Sequence, residues 1–281
     1  MTRTAALVAL HTAVALFGFA ALFGKWLTMP PAEIVLGRTV VATLTLVVLL
    51  RVQRATRSRP DRGLALNGVL LAVHWVTFFA AVQLAGVAIA LLAFASFPVF
   101  VLAIECAVAR RAPGGAEMAA IVLVIAGLAL LVPELRWSSS VVQGHACGVV
   151  SGLTFAILAL RSRRSVEQYG AVNLALWQNA FAALALVPFV ALDGAARLPT
   201  SEDVARLLAL GVVCTALAHS LFIASMRRLS AYTASVVSLL EPVYGILLAA
   251  LLIGERPDAR TIGGMLLILA AALLATRHAK R

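Results

Sequence analysis

Residues 91–113 read LLAFASFPVFVLAIECAVARRAP, and residues 235–257 read SVVSLLEPVYGILLAALLIGERP. Each is a near-continuous apolar run with a Pro-Val pair in its interior, closed by a charged break that ends in proline. Runs of this kind, extended by their flanks, reach the roughly 20 residues a helix needs to cross a bilayer. Laying one on the other shifts the chain by 144 residues, and that register continues without a gap from Trp75–Leu130 onto His219–Leu274. Phe78 falls on Phe222, Ala80 on Ala224, Pro98-Val99 on Pro242-Val243 and Pro113 on Pro257. An offset of 141 places Arg38 on Asn179.

The rest of the chain has the same character. Of 281 residues, 62% are hydrophobic and 12% charged, with a mean hydropathy of +1.01. Soluble domains hold roughly 45–50% apolar and about 25% charged residues, which excludes that class. Breaks of Pro, Gly and charge divide the chain into apolar runs near 4–24, 32–51, 64–85, 87–109, 116–132, 142–160, 171–191, 203–226, 232–253 and 261–276. Joins as tight as Leu84-Ala85-Gly86-Val87 force neighbouring runs into antiparallel hairpins. The first run, from Thr4 to about Leu22, is longer than a signal-peptide core and is followed by no cleavage site, so it stays as the first helix. The sequence therefore predicts an all-α membrane protein of ten transmembrane helices, in two five-helix repeats at 4–132 and 142–276. Five is odd, so the second repeat enters the membrane from the opposite side, the inverted arrangement of many secondary transporters.

A net charge of +11 and a pI near 11.1 would suggest nucleic acid in a soluble chain. Here the charge sits in the breaks, and counting Lys and Arg on alternate sides gives a topology signal instead. One side carries sixteen: Arg3, Arg51, Arg54, Arg57, Arg59, Arg62, Arg110, Arg111, Arg161, Arg163, Arg164, Arg227, Arg228, Arg277, Lys280 and Arg281. The other carries six, Lys25, Arg136, Arg197, Arg206, Arg256 and Arg260, and Arg38 lies inside the second run. Both termini are expected in the cytoplasm, no nucleic-acid partner is expected, and Trp26 and Trp137 mark the outer interface. Cys106, Cys147 and Cys214 lie in apolar runs with no CxxC spacing and read as small buried hydrophobes rather than disulfides or metal ligands.

On these residues the chain resembles the EamA-like members of the drug/metabolite transporter superfamily. The first half carries Phe17-Gly18, Arg38 followed by Ala42, and Phe97-Pro98-Val99. The second carries Leu240-Glu241-Pro242-Val243-Tyr244, Gly254-Glu255-Arg256-Pro257 and Gly263-Gly264. The likeness covers nearly the whole chain and implies export of amino acids, other metabolites or xenobiotics. It is not symmetric, because Phe97 stands where Glu241 does and Arg111 where Glu255 does. Any role of those two acids is therefore one-sided.

Glu241 lies near the middle of its run, where an ionisable group is expensive and normally faces the protein interior. It is the leading candidate for binding a substrate ammonium or a proton; the structural alternative is a carboxyl satisfied by hydroxyls such as that of Ser238. Pro242 and Pro98 each remove a helix donor, freeing the carbonyls of Ser238 and Phe94 for a ligand or for a kink. Arg38 either snorkels outward or binds a substrate carboxylate from the interior. His74, with Trp75, Phe78 and Phe79, forms an aromatic group that lines the interior or faces lipid, and His219 occupies nearly the equivalent place in the second half. Tyr232, Tyr244, Gln178 and Asn179 are weaker candidates of the same kind. Glu105 is expected to reach the interface beside Arg110 and Arg111. Gly144, Gly148 and Gly152 form a doubled GxxxG face suited to close helix packing. His11, His145 and His278 are assigned no role.

No P-loop, HExxH or serine-nucleophile motif is present, so no cofactor, metal or ATP hydrolysis is expected. The expected function is a secondary transporter that exports amino acids or related small metabolites by alternating access, with protons as a candidate coupling ion. Its partners are a small-molecule substrate and the lipid bilayer, and the oligomeric state is left open. The competing class is a membrane-embedded enzyme or lipid-handling protein using His74, His219 and Glu241 as acid and base. The absence of an N-x-[ST] sequon is compatible with a bacterial inner membrane.

Overall fold

The structure is a computed structural model, and it describes residues 1–56, 58–131, 139–192 and 199–278. Arg57, Arg136, Trp137, Arg197, Lys280 and Arg281 lie outside the described residues. Among those described, every regular element is helical. Eight helices are long and apolar enough to cross a membrane: α1 (Arg3–Trp26), α2 (Pro31–Val52), α3 (Arg62–Ala85), α4 (Val87–Ala109), α6 (Ser140–Tyr169), α7 (Ala171–Leu192), α8 (Ser201–Ser225) and α9 (Ala231–Leu252). Two shorter apolar helices are also present, α5 (Gly115–Leu130) and the stretch Ala259–Ala271 of α10 (Ala259–His278).

Helix ends follow local chemistry. Thr2 accepts from Ala5 N–H at the start of α1, Asp61 from Leu64 N–H at α3, and Ser230 from Thr233 N–H at α9. Each satisfies an amide that has no partner within the first turn. Gly86 (φ +91°) and Gly170 (φ +75°) each serve as the single residue between two helices, in a conformation only glycine adopts without strain. The Asp61 carboxyl also accepts from the Tyr169 hydroxyl at 2.8 Å, and the Leu64 amide followed by this hydroxyl holds its pKa below the usual carboxylate range. Asp61 thereby ties the α2–α3 turn to the end of α6.

The α6 helix runs nine residues beyond the apolar stretch that marks it in the sequence, through Arg161, Arg163 and Arg164 to Tyr169. Its extension stands beside the α2–α3 segment, where Arg161 donates to Asn67 Oδ1 at 2.5 Å and to the Gly63 carbonyl at 3.0 Å. Arginine is a good helix former, and nothing in that stretch stops a helix before Gly170.

Packing leaves an apolar belt outside. Val8, Leu44, Val48, Leu184, Phe189, Leu251 and Leu266 are exposed while Arg38, His74, Gln178, Asn179, His219 and Glu241 are buried. This inversion of soluble-protein burial is what a lipid environment selects. Inside, α3 packs on α6 and α1 on α8; α4 packs on α6 and α1 on α9; α2 pairs with α7 and α5 with α10. Glycines set the closest approaches. A Cβ on Gly144 would stand 2.5 Å from Ala85 Cβ, and one on Gly148 2.5 Å from Ala93 Cβ. On Gly152 it would stand 2.6 Å from Ser96 Oγ and 3.0 Å from the Phe94 carbonyl. On the other side of the bundle, a Cβ on Gly18 of α1 would lie 2.9 Å from both the Glu241 carbonyl oxygen and the Gly245 nitrogen of α9.

Gly18→Ala is therefore expected to force α1 and α9 apart and lower stability by about 1–3 kcal/mol, the usual cost of overpacking. Gly115→Ala, with nothing within 4 Å of the new methyl, is expected to stay within about 0.5 kcal/mol. Thermal unfolding of the two variants in detergent micelles checks the contrast.

Candidate functional site

Both α4 and α9 break in mid-span, at Ala95-Ser96 and at Leu239-Leu240, two residues ahead of each proline. The amides there tighten to three-residue bonds, Ser96 N–H to Ala93 O at 3.2 Å and Leu240 N–H to Val237 O at 3.1 Å. Phe97 and Glu241 become the first residues of new helical segments, with Pro98 and Pro242 at positions where a missing N–H costs little. Glu241 is thus held at a helix break that Gly18 clamps from α1.

The break opens onto a buried cavity whose walls come from many helices. Phe17 and Ala20 of α1, Arg38 of α2, His74, Trp75 and Phe78 of α3 and Phe94 of α4 meet Phe155 of α6, His219 of α8 and Glu241 of α9. It is closed down to ≈ 20 Å³, about the room one water molecule needs.

Arg38 is 2% exposed, so it points inward rather than snorkelling out. Its guanidinium carbon lies 3.9 Å from the centre of the Trp75 ring and 5.4 Å from that of Phe79. Nε donates to Thr215 Oγ1 at 2.9 Å, and a terminal nitrogen donates to the Cys214 carbonyl at 3.3 Å. That carbonyl is available because α8 adopts a π-helical turn over Val212–Leu217, where Thr215 Oγ1 donates to Leu210 O at 2.7 Å. Widening the helix by one residue removes carbonyls from the regular ladder. A desolvated cation–π contact contributes about 2 kcal/mol and a hydrogen bond to a charged group about 1.5–3 kcal/mol, enough to offset insertion costs of about 2.5–3.5 kcal/mol for an arginine at membrane depth. Among the described residues, no carboxylate forms an ion pair with Arg38.

The two histidines are each held through one ring nitrogen. His74 Nδ1 lies 2.8 Å from Ser151 Oγ and 3.1 Å from the Ser151 carbonyl, so Ser151 holds the ring through that nitrogen. Its ring stacks on Phe155 at 4.5 Å. Gln178 Nε2 donates to Ser162 Oγ at 2.8 Å, which turns Gln178 Oε1 toward His219 Nε2, 2.8 Å away. His219 therefore carries its proton on Nε2, and among the described residues its Nδ1 has no hydrogen-bond partner. Trp75 packs edge-on against His219 at 5.7 Å, linking this group to Arg38.

Glu241 is 4% exposed, and among the described residues no donor meets its carboxyl. The hydroxyl of Ser238 donates to the Ala234 carbonyl instead, at 3.0 Å. Glu241 is thus an acceptor available to whatever enters the cavity.

Of the residues singled out in the sequence, Arg38, His74, Trp75, Phe78, His219 and Glu241 share this cavity, and Gln178 orients His219 from behind. Asn179 is buried elsewhere, donating to the Ala175 carbonyl at 2.8 Å. Tyr232 lines a separate apolar cleft with Pro98, Val99 and Val236, and Tyr244 is half-buried beside Gly18. Glu105 lines an open recess at the arginine-rich end, with Arg161, Arg164 and Arg228. Thr215, Ser151 and Phe155 were not anticipated, and Phe17, quoted only for the family resemblance, also lines the cavity. Thr215 and Ser151 became relevant only once α8 and α6 were placed beside α2 and α3, and the π-turn that presents Cys214 has no sequence mark.

Comparison with known proteins gives this cavity its context. The model of the EamA-like transporter family matches residues 4–132 and again 142–277. The chain is 24% identical over 281 residues to the uncharacterized transporter YxxF of Bacillus subtilis, covering 97% of this chain and 89% of that one. It is 28% identical over 263 residues to the pseudopaline exporter CntI of Pseudomonas aeruginosa, covering 90% and 88%. One solved crystal structure shares the fold with a TM-score of 0.78 at 20% identity, over 100% of this chain and 99% of that one. With the family matched in both halves and across the apolar helices that enclose the cavity, the chain belongs to the EamA-like transporters of the drug/metabolite transporter superfamily, multi-pass membrane proteins that move small molecules.

Proposed function

We propose that the chain exports amino acids or related small metabolites across the inner membrane by alternating access of two inverted five-helix repeats, 4–132 and 142–276. Both termini then lie in the cytoplasm, where the arginine-rich end belongs. The observation that carries this reading is the pairing of opposite charges in one cavity between the halves. Arg38, from the first half, is bonded only to neutral groups among the described residues, and Glu241, from the second, meets no donor. A solute with a carboxylate and an ammonium group suits that pair. The reciprocal packing of α3 on α6 and α1 on α8 supports the repeat, as does that of α4 on α6 and α1 on α9. The named exporter among the relatives supports the direction.

The mechanism follows from desolvation. An unpaired carboxylate is costly in a closed, dry cavity, so Glu241 must be met by a cation or take up a proton before the cavity closes. Coupling to a proton gradient follows if the proton and the solute ammonium compete for it. Arg38, held flat by Trp75 and the α8 turn, presents a fixed partner for the carboxylate. The acid–base enzyme is the weaker reading, because His74 Nδ1 is committed to Ser151 and His219 Nε2 to Gln178.

Efflux of a labelled amino-acid panel from preloaded proteoliposomes tests the proposal. Saturable efflux that responds to an imposed pH gradient is expected, with Glu241→Gln losing the response and falling about tenfold or more in rate, the size of one lost charged hydrogen bond. Unchanged rate and pH dependence in that variant would overturn the role of Glu241. Wild type is further expected to prefer a substrate over its amide, and Arg38→Lys to lose the preference, since a point ammonium cannot reproduce the stacked, forked contact.

A further inference from the structure

The two ends of the bundle are closed differently, and the difference traces to one pair of aligned residues. At the arginine-poor end, Glu255 in the α9–α10 turn reaches across to the start of α4. Its Oε2 accepts from Val87 N–H at 3.2 Å and its Oε1 from Ala88 N–H at 3.0 Å. A carboxylate on these free amides also faces the positive end of the helix dipole. Gly86 makes room, since a Cβ there would stand 3.0 Å from Glu255 Oε1. The contact joins a turn of the second half to a helix start of the first, beside the packing of Leu91 on Gly245.

The 144-residue register lays Glu255 on Arg111, Gly86 on Ser230 and Val87 on Ala231. At the arginine-rich end the reciprocal contact is not made. Arg111, a cation, is repelled by a helix N-terminus and instead binds Glu117 of its own hairpin through two bonds of 2.7 and 2.9 Å. The start of α9 is capped internally by Ser230. An open recess of ≈ 510 Å³ occupies this place, bounded by Ile104 and Glu105 of α4, by α6, and by Ser230 and Ala231. The recess stands where a reciprocal latch would sit.

We propose that Glu255 is a one-sided latch that holds the arginine-poor mouth shut, and that its exchange for Arg111 in the first half leaves the other mouth unlatched. The substrate-free transporter then rests accessible from its arginine-rich face. Glu255 is a positioning residue: it touches no substrate and acts by setting the balance between two access states. This inference rests on the alternating-access reading above.

Side-specific labelling tests it on the full-length protein in proteoliposomes, with Cys106, Cys147 and Cys214 replaced by Ala and Ala20→Cys as a reporter in the cavity wall. A membrane-impermeant maleimide is applied from each face in turn. The reporter is expected to react faster from the arginine-rich face, and Glu255→Gln to shift the ratio of the two rates toward the arginine-poor face by about tenfold, the size of one lost charged hydrogen bond. Arg111→Glu combined with Glu117→Gln supplies the missing latch and is expected to slow labelling from the arginine-rich face while labelling from the arginine-poor face stays at least as fast, a face-selective change that misfolding does not produce. Unchanged ratios in both variants, while substrate still shifts the labelling of wild type, would overturn the latch and leave alternating access standing. Labelling from one face alone in every variant, with and without substrate, would overturn both.

Discussion

A backbone carbonyl that loses its donor inside a membrane has to be met by another part of the protein, and this chain creates that situation at Pro98 and again at Pro242. The response is the same at both. The helix breaks two residues ahead of the proline, and a glycine from another helix is drawn against the break, Gly152 beside Phe94 and Phe97 and Gly18 beside Glu241. Larger residues at those glycines would hold the helices apart. The cavity is walled by several helices, with Phe94 from one broken helix and Glu241 from the other, and Glu241 reaches it at the start of its own helical segment.

Charge inside the bundle follows from the same economy of partners. Arg38 is tolerated because a π-turn in α8 turns out the Cys214 carbonyl, Thr215 accepts from Nε, and the Trp75 ring lies against the guanidinium. His74 and His219 are satisfied on one nitrogen each by Ser151 and Gln178. Glu241 has no such arrangement among the described residues, and on that imbalance rests its proposed role as the acceptor for an incoming group. A fully paired interior would be more stable and would have nothing to offer a solute.

Asymmetry within the repeat has two layers. Phe97 in place of Glu241 leaves the cavity one midplane acid rather than two, while Arg111 in place of Glu255 gives the two mouths different closures. On the proposed alternating-access reading, near-symmetric packing gives two states similar energies, and these exchanges would bias which is favoured and what is bound.

Amphipathic logic does not apply to a chain this apolar, yet length, proline, glycine and charge placement made the eight long apolar helices, the two shorter ones and most of their described ends legible from residues alone. Among the site residues, those carrying charge or aromatic rings at mid-depth, Arg38, His74, Trp75, Phe78, His219 and Glu241, were legible because such groups are expensive in lipid and rarely idle. Tyr232 and Asn179 carried the same signal but stand apart from the cavity, since depth along a helix does not specify which way a side chain faces. Thr215, Ser151 and Phe155 carried no signal, because a hydroxyl or a phenyl is unremarkable until a charge is brought beside it. The sequence by itself determined the apolar helices, the breaks and the 144-residue self-alignment, which depend on local backbone chemistry and on the bilayer. Only the tertiary structure decided which groups meet, because helix rotation, the α8 π-turn and the reach of Glu255 to α4 depend on contacts between residues far apart in the chain.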